Sequence, residues 1–260
     1  MQKLPKKISG RPWNLARKRQ AFEVIQLAKR RRKRATTPPP PEPIVLTLLD
    51  GLVAYWKLEE GSDEMRLDSS GNSLDLTDNN TVDQAASMIG NGANFAYADH
   101  DRWLDHPDDP FLRFDADFTM SLWVYQFEPV FSSDTMINST GGVYLVTFGH
   151  ALELVMYDAD GNLIVDIPGN ADVTPEQWHH LVFFRSGNTV GLIIDNGEPA
   201  IQTEISAFPR VGEMFRIGAH ESGYPFTGTI DEVGKWNRVL SATEISTLYN
   251  GGAGLPLEDF

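Results

Sequence analysis

The sequence predicts an all-β protein: an antiparallel two-sheet sandwich with one short C-terminal helix, preceded by a basic, partly helical N-terminal arm. From Ile44 onward, short alternating or apolar runs rich in β-branched and aromatic residues are separated by turn residues, which is typical of strands. In this part of the chain, helical spacing is confined to residues 241–251. Many short strands, regular turns and one helix near the end indicate a sandwich.

The strands are predicted from alternation of apolar and polar residues, or from short apolar runs bounded by turns. They cover residues 52–60, 118–127, 142–149, 152–158, 162–167, 178–187, 189–197, 213–219 and 228–240. Asp160-Gly161 and Asn196-Gly197 predict tight hairpins, because such dipeptides adopt the backbone angles of two-residue turns. The helix is expected to begin after Ser241, with Glu244 in the capping-box position, and to end at Gly251.

Charge is divided unevenly along the chain. Residues 1–43 hold 13 of the 22 Lys+Arg and 2 of the 36 Asp+Glu, a net charge of +11, which leaves 9 cations and 34 acids, or −25, for the rest. This asymmetry predicts two tasks on two pieces. We divide the chain into a basic anchoring arm with an amphipathic helix (1–35), a stiff proline-rich spacer (36–43) and the sandwich (44–260). The anchoring cations are Arg17, Lys18, Arg19, Lys29, Arg30, Arg31, Arg32, Lys33 and Arg34.

Composition excludes several kinds of site. The chain has no cysteine, which excludes disulfides, thiol nucleophiles and thiolate metal sites. No secretory signal is predicted, because the apolar stretch 21–28 is interrupted by Glu23 and Gln26. No segment approaches the roughly 18 apolar residues of a membrane span. Six Trp, 14 Phe and 7 Tyr supply the core of one large domain.

Five motifs follow one another in an order that resembles a known family. They are LVAYWKLEEGSDEMRLDSSGNSLDLT (52–77), GNGANF (90–95), DFTMSLWVY (117–125), EQWHHLVFFRSGNTVGLIIDNGEP (176–199) and FTGTIDEVGKWNRVLSATEISTLYNGG (226–252). Together they resemble the concanavalin A-like, laminin G-type jelly rolls over roughly residues 50–251. The resemblance implies a jelly-roll sandwich. This fold hosts lectins, adhesion modules, pentraxin-like proteins and glycosidases, so the resemblance does not decide the activity.

The resemblance also implies a structural calcium ion near Asp68, Asn72 and Asp231. Carboxylates and carbonyl oxygens are the ligands that calcium requires. The alternative is that Asp68 begins an Asx-turn and that Asp231 is an ordinary surface carboxylate.

Two further patterns suggest metal sites at first sight. The run 158–166 offers the calcium-like residues Asp158, Asp160, Asn162 and Asp166. It has neither a glycine at the position that an EF-hand requires nor the distal glutamate, and we interpret it as a hairpin turn. His179 and His180 are neighbours on a predicted strand, so their side chains point to opposite faces and cannot chelate one ion together. We expect one of them to pack on Trp178 and the other to be exposed.

Sugar recognition requires aromatic side chains that stack on pyranose rings, with polar groups around them. Two predicted loops, 97–111 and 219–226, supply the candidates Trp103, His106, Tyr224 and Phe226. The alternative is that these aromatic residues plug the ends of the sandwich.

Catalysis has little support in the sequence. Retaining glycosidases of the resembled fold share a Glu-x-Asp-x-x-Glu strand, and neither LELVMYDAD nor TIDEVGKWN has this spacing. A nucleophile elbow and a phosphate-binding glycine loop are also missing. We therefore predict a protein without enzymatic activity.

These observations lead to a functional hypothesis. The chain is expected to be a virion protein of a bacteriophage, made in the host cytoplasm and acting as a capsid decoration, head fibre or tail-associated protein. Its arm would dock on capsid or tail proteins, or on nucleic acid, and its sandwich would bind surface glycans. The alternatives are a structural cement protein without sugar binding, and a nucleic-acid-binding protein that acts through the arm. Homo-oligomerisation stays open, since no heptad run requires it.

Overall fold

A computed structural model describes residues 47–95, 102–128, 133–140, 142–212, 214–220 and 225–260. The anchoring arm, the proline-rich spacer and Tyr224 lie outside the described residues, so the predictions made for them stay predictions.

The described residues form short strands, one α-helix and three short 3-10 turns. The strands are β1 (Leu52–Trp56), β2 (Thr77–Asn79), β3 (Asp83–Ala86), β4 (Asn91–Phe95), β5 (Trp103–Pro107), β6 (Phe118–Gln126), β7 (Asp134–Ser139), β8 (Val143–Phe148), β9 (Ala151–Tyr157), β10 (Leu163–Asp172), β11 (Trp178–Ser186), β12 (Thr189–Ile194), β13 (Ala200–Gln202), β14 (Met214–Ile217) and β15 (Gly228–Trp236). The helix is α1 (Ala242–Tyr249), and the 3-10 turns are Pro110–Leu112, Asn250–Gly252 and Leu257–Asp259.

The strands form two antiparallel sheets. The eight-stranded sheet has the order β13-β12-β11-β6-β15-β4-β3, and β1 pairs with β15 beside this path. The seven-stranded sheet has the order β10-β9-β8-β7-β14-β5-β2. This architecture confirms the predicted all-β sandwich. The hairpin at Asp160-Gly161 is also confirmed, because β9 and β10 pair across it, but its turn is longer than the predicted two residues, since residues 158–162 separate the first pair, Tyr157 and Leu163.

The core lies between the two sheets. Alternate side chains of each strand point into it, as the period of two requires. Aromatic rings fill its centre: Trp56 stacks on Phe215 with ring centroids 5.4 Å apart, and Phe114 meets Phe118 edge-on at 4.9 Å. The indole N–H of Trp56 donates to the carbonyl of Leu74 at 2.7 Å, which satisfies the one polar group of this buried side chain.

Helix α1 covers part of the outer face of the eight-stranded sheet. Its buried residues Ile245 and Leu248 belong to a second apolar cluster with Tyr55 and Trp236 of that sheet. Ser241 caps the helix in a complete capping box with Glu244, as predicted, and Asn250 adopts the left-handed conformation at the other end. Among the described residues, no helix is long and apolar enough to cross a membrane.

Several strands escaped sequence-based prediction because they are short or polar. β2, β3 and β13 have three or four residues each, and β7 (DTMINS) lacks an apolar alternation although all of its residues are buried. β5 falls inside the segment 97–111 that was predicted to be a loop. That prediction was wrong because pairing with β14 and β2, a tertiary contact, holds these residues extended.

The interpretation of the histidine pair was half wrong. The two side chains do point in different directions, but both are buried, with 7% of His179 and 1% of His180 exposed. His179 bonds Asp195 at 2.7 Å, whereas His180 bonds the hydroxyl of Ser121 at 2.7 Å and packs on the ring of Trp123. His180 is buried because this face of the sheet is covered, with Tyr249 of α1 stacked on Trp123 and 6.0 Å from the His180 ring. His179 is buried on the other side, where the backbone N–H of Thr174 donates to its Nε2 at 3.0 Å.

Two adjacent acids are buried in the middle of β15. Asp231 is fully buried, and 4% of Glu232 is exposed. The hydroxyl of Tyr55 donates to the Glu232 carboxylate, and Glu232 has a positive φ of 49° at a β-bulge. Burial is the main reason that the pKa of Asp231 rises to about 7 and that of Glu232 to about 8.

The raised pKa values predict that the fold weakens as the pH rises from 6.5 to 8. The ordinary pKa values of these carboxyls are 3.8 and 4.5, so folding favours their protonated forms. This contribution to stability is complete below pH 4 and is lost as the pH passes through the folded-state values. Between pH 6.5 and 8, the contribution of Glu232 to the free energy of unfolding should fall by on the order of 1–2 kcal/mol, at 1.36 kcal/mol per pH unit.

Urea unfolding of the wild type and of Glu232→Gln at pH 6.5, 7 and 8 measures this contribution of Glu232 to the free energy of unfolding. The amide cannot ionise, so the free energy of unfolding of Glu232→Gln should fall less steeply with pH than that of the wild type. Glu198→Gln, at an exposed position in the β12–β13 turn, is the matched control and should keep the wild-type slope. An unchanged slope in Glu232→Gln would contradict the assignment.

Candidate functional site

A groove with a volume of about 610 Å³ lies on the outer face of the seven-stranded sheet. Its lining comes from β7, β8 and β9 and from two neighbouring positions, and consists of Ser133, Thr135, Tyr144, Val146, Phe148, Val155, Tyr157 and His220. In β8 the alternation sends Val143 and Leu145 into the core and turns Tyr144 and Val146 outward. The same period of two that builds the core therefore builds the groove.

Aromatic rings dominate this groove. Tyr144 stacks on the imidazole of His220 with centroids 4.8 Å apart and meets Tyr157 edge-on at 6.1 Å. Phe148, at the end of β8, is 51% exposed. A large apolar ring left half exposed on a sheet face departs from the usual burial of phenylalanine, and it gives the groove an accessible apolar wall.

Two carboxyl groups stand beside the groove on β9 and β10. In the sheet register, Glu153 lies opposite Val146, and Asp166 lies opposite Val155. Burial raises the pKa of Glu153 to about 7, and a hydrogen bond to Asp166 and the charge of that neighbour add to the rise. The pair therefore forms a polar side to a groove that is otherwise aromatic and aliphatic.

A second outward-facing cluster lies on β5 and β14. The indole N–H of Trp103 donates to Asp105 at 2.7 Å, and the guanidinium of Arg216 lies 4.8 Å from the Trp103 ring centroid. The sheet register continues from Asp105 through Arg216 and Asn138 to Tyr144. Asn138 is fully buried, so the exposed part of this cluster does not merge with the groove.

Trp103, His106 and Phe226, the predicted sugar-binding residues that the structure describes, are not brought together. Trp103 and His106 lie on a strand, and His106 Nδ1 is 2.7 Å from the carbonyl of Pro107. Phe226 is 1% exposed and meets Phe95 edge-on at 6.3 Å, so its ring has no face available for a ligand. The structure contradicts the prediction for Phe226, because the inter-sheet space takes up the apolar side chain.

The predicted calcium residues fall into two separate hydrogen-bonded arrangements. Asp68 and Asn72 share one turn: Asp68 Oδ1 accepts from the backbone of Tyr55 and Ser70 at 3.0 and 2.9 Å, and Oδ2 accepts from Ser70 Oγ at 2.8 Å and Leu74 at 3.1 Å. The amide of Asn72 donates to the carbonyl of Val53 at 2.8 Å. This turn has the hydrogen bonds of an Asx-turn, the alternative considered for Asp68.

Asp231 bonds to different groups. Its Oδ2 accepts from Ser87 Oγ at 2.7 Å and from the backbone of Ile89 at 2.9 Å, and its Oδ1 accepts from Glu232 at 2.9 Å. It is buried, which differs from the surface carboxylate of the alternative interpretation. Calcium needs six to eight oxygen ligands, whereas both carboxylates meet N–H and O–H donors. The arrangement therefore fits hydrogen bonding better than a shared calcium ion, and no group of three or more His, Asp or Glu that could hold a metal occurs among the described residues.

The groove residues could not be selected from the sequence. Tyr144, Phe148 and Tyr157 lie in segments correctly predicted as strands, where aromatic residues are ordinary core formers. The one available signal was the alternation in VYLVTF and ALELVMY, which places these rings on the face opposite the leucines. The sequence does not tell which of the two faces of a strand is buried and which carries a groove.

Comparison with protein families identifies the sandwich. Residues 98–246, more than half of the chain, match the laminin G family profile described as the concanavalin A-like lectin/glucanases superfamily. A comparison with curated protein sequences gives no match.

Solved structures of the same fold include binding domains. The binding domain of Paraclostridial Mosquitocidal Protein 1 superposes with a TM-score of 0.65 at 17% identity, over 79% of this chain and 53% of that one. Domain 4 of AbnA, an extracellular arabinanase from Geobacillus stearothermophilus solved with arabinotriose, gives 0.62 at 18%, over 78% and 98%. The binding domain of botulinum neurotoxin DC with SialylT gives 0.63 at 11%, over 78% and 52%.

This chain thus spans about half of each toxin domain and nearly all of the arabinanase domain. At these identities the similarity concerns the fold. With the family match, the two antiparallel sheets and the C-terminal helix, the chain belongs to the concanavalin A-like lectin/glucanases superfamily.

Proposed function

We propose that this protein is a glycan-binding protein without enzymatic activity, and that its sugar site is the groove on the outer face of the seven-stranded sheet. The observation that carries the proposal is the set of aromatic rings at the groove: Tyr144 and Tyr157 in edge-on contact and Phe148 half exposed. The C–H faces of a sugar ring are apolar and its rim is polar, so a ring-lined groove with polar groups beside it suits a sugar.

The groove has the properties of a preformed small-ligand site. Its volume of about 610 Å³ lies within the roughly 300–1,000 Å³ typical of such sites. Tyr144 is held by contacts on both sides, with His220 and Tyr157, so little side-chain entropy is lost on binding. Ser133 and Thr135 line the same groove. Ser133 is half-buried, so its hydroxyl can exchange hydrogen bonds with sugar hydroxyls, whereas Thr135 is buried.

Fold relatives support this proposal by analogy. One was solved with arabinotriose and another with SialylT, and two are named as binding domains. The analogy raises the expectation of a glycan ligand on this fold, while the choice of the groove rests on its own lining residues.

The carboxyl pair Glu153 and Asp166 is the feature that could suggest a glycosidase. Retaining and inverting glycosidases need two carboxyl groups about 5 to 9.5 Å apart, with the scissile bond between them. Here the two groups are hydrogen-bonded to each other, which leaves no space for a glycosidic bond between them. The pair therefore suits hydrogen bonding to a ligand better than acid–base cleavage.

Phe148→Ala is expected to weaken glycan binding at least about tenfold, or on the order of 1.4 kcal/mol, because the accessible apolar wall is lost. Tyr157→Ala should act in the same direction. Binding is measured with the full chain on a glycan array, followed by calorimetry with the strongest ligand. Phe111→Ala is the matched control: Phe111 is 57% exposed and lies outside the groove, so this variant should bind like the wild type. Equal binding by all variants would reject the groove as the site.

Structural calcium is a separate proposal. If calcium binds near Asp68 and Asn72, saturating calcium should raise the melting temperature of the wild type above that measured with chelator, and Asp68→Asn should abolish the difference. Because the Asp68 oxygens accept hydrogen bonds, the array is probed both with calcium and with chelator. Identical melting curves in the two buffers would refute calcium binding.

We further propose that the glycan-binding sandwich is displayed on a virion by the basic arm. The charge division supports this proposal: residues 1–43 carry +11 and the rest −25, so the two parts suit different partners. The arm would dock on an acidic surface of capsid or tail proteins, or on packaged nucleic acid. A spacer with the proline block PPPPEP would hold the sandwich away from that surface.

The virion proposal predicts that the protein is recovered in purified particles from lysed cultures and not from the medium of intact cells, as checked by mass spectrometry. In a second experiment, replacement of the six residues from Lys29 to Arg34 by glutamine should release the protein from particles. Binding of the full chain to duplex DNA at several salt concentrations distinguishes the arm's partners. A steep salt dependence that is lost in the variant favours nucleic acid. Secretion by intact cells without particle association would overturn the proposal.

A further inference from the structure

We infer that the groove accepts uncharged glycans and rejects acidic ones. This inference rests on the proposed function and adds the chemical class of the ligand. It follows from two acidic side chains beside the groove and from the absence of lysine and arginine among its described lining residues.

The described residues that line the groove include neither lysine nor arginine. Sites that recognise carboxylate or sulfate groups usually supply arginine, because its planar fork of donors matches the anion. The described cation nearest in sheet register is Arg216, two strands from Tyr144. The Arg216 guanidinium lies over the ring of Trp103 and 3.7 Å from Asp105, beyond the fully buried Asn138. The exposed Arg210 meets the groove through its backbone, whose N–H donates to the carbonyl of Tyr157 at 2.8 Å, but its side chain is not part of the lining. Among the described residues, no lysine or arginine side chain therefore lines the groove to pair with an anionic sugar.

The side of the groove toward β10 is acidic. Glu153 and Asp166 lie directly opposite the lining residues Val146 and Val155. Glu153 and Asp166 are both acidic side chains, so the pair presents negative charge and acceptor oxygens to this side of the groove. A sugar carboxylate that entered beside them would meet a like charge in a partly desolvated site, where repulsion is several times stronger than in water.

Neutral glycans avoid this repulsion and gain hydrogen bonds from the pair. Carboxylate oxygens are strong acceptors, and sugar hydroxyls are donors. The same two side chains that repel an anionic sugar therefore bind the hydroxyls of a neutral one. The groove selects by a repulsive element as well as an attractive one.

The test uses pairs of glycans that differ in one acidic residue. Lactose is compared with sialyllactose, and linear gluco-oligosaccharides with their glucuronic acid-containing counterparts, each against the folded full chain by calorimetry or array titration. For every pair that binds, the wild type should bind the neutral glycan at least about tenfold more tightly than its acidic counterpart, which corresponds to about 1.4 kcal/mol. In the double variant Glu153→Gln, Asp166→Asn, this preference should shrink by fivefold or more.

A matched double variant separates local repulsion from the general acidity of the sandwich. Asp160→Asn with Glu198→Gln likewise replaces two carboxyl groups by amides, at exposed turn positions that do not line the groove. This control should keep the wild-type preference. Circular dichroism and melting curves establish that each variant is folded before its binding is compared.

The outcomes are distinct. Equal or tighter binding of the acidic members by the wild type would overturn the inference and leave the glycan-binding proposal in place. A preference that both double variants reduce equally would overturn the role of Glu153 and Asp166. Absence of any glycan binding by the folded chain would overturn the proposed function, and the inference with it.

Discussion

Strand β15 is the constraint on which the sandwich depends. It pairs with β6 on one side and with β4 and then β1 on the other, so it joins the first part of the domain to the last. All nine of its residues are buried. Because a strand buried on both faces exposes none of its side chains, every residue of β15 must be accommodated by packing or by hydrogen bonds.

The two buried acids of β15 illustrate this requirement for partners. Asp231 is satisfied by three donors and Glu232 by the hydroxyl of Tyr55. Burial raises the pKa of Asp231 to about 7 and that of Glu232 to about 8, since it penalises the charged form of a carboxyl group. The bulge at this point lets two adjacent acids reach different partners. Asp231, which the family resemblance implied as a calcium ligand, accepts internal hydrogen bonds from Ser87, Ile89 and Glu232.

The two outer faces of the sandwich have different surroundings, and this difference creates the candidate site. On the eight-stranded sheet, α1 and the residues after it pack against Tyr55 and Trp236. On the seven-stranded sheet, aromatic rings of β8 and β9 line a groove instead. A carboxyl pair beside the rings completes a site that combines apolar surface with hydrogen-bond acceptors. The rings of the candidate site project from β8 and β9, two strands joined in a hairpin. The regular pairing of these strands keeps the rings in place.

Local sequence patterns were sufficient to predict the all-β sandwich, the hairpin at Asp160-Gly161 and the capped terminal helix. The spacing of apolar residues, the turn dipeptides and the capping residues each act over a few neighbouring positions. The five ordered motifs likewise indicated the family. The sequence could not identify the residues that line the groove. Whether Phe226 fills the core while Phe148 stays exposed depends on which strands pair and which face each sheet turns inward. The partners of Asp68, Asp231 and Glu153 lie on other strands or in other turns. Tertiary structure alone decided these contacts, because they join residues far apart in the chain whose proximity no local pattern encodes.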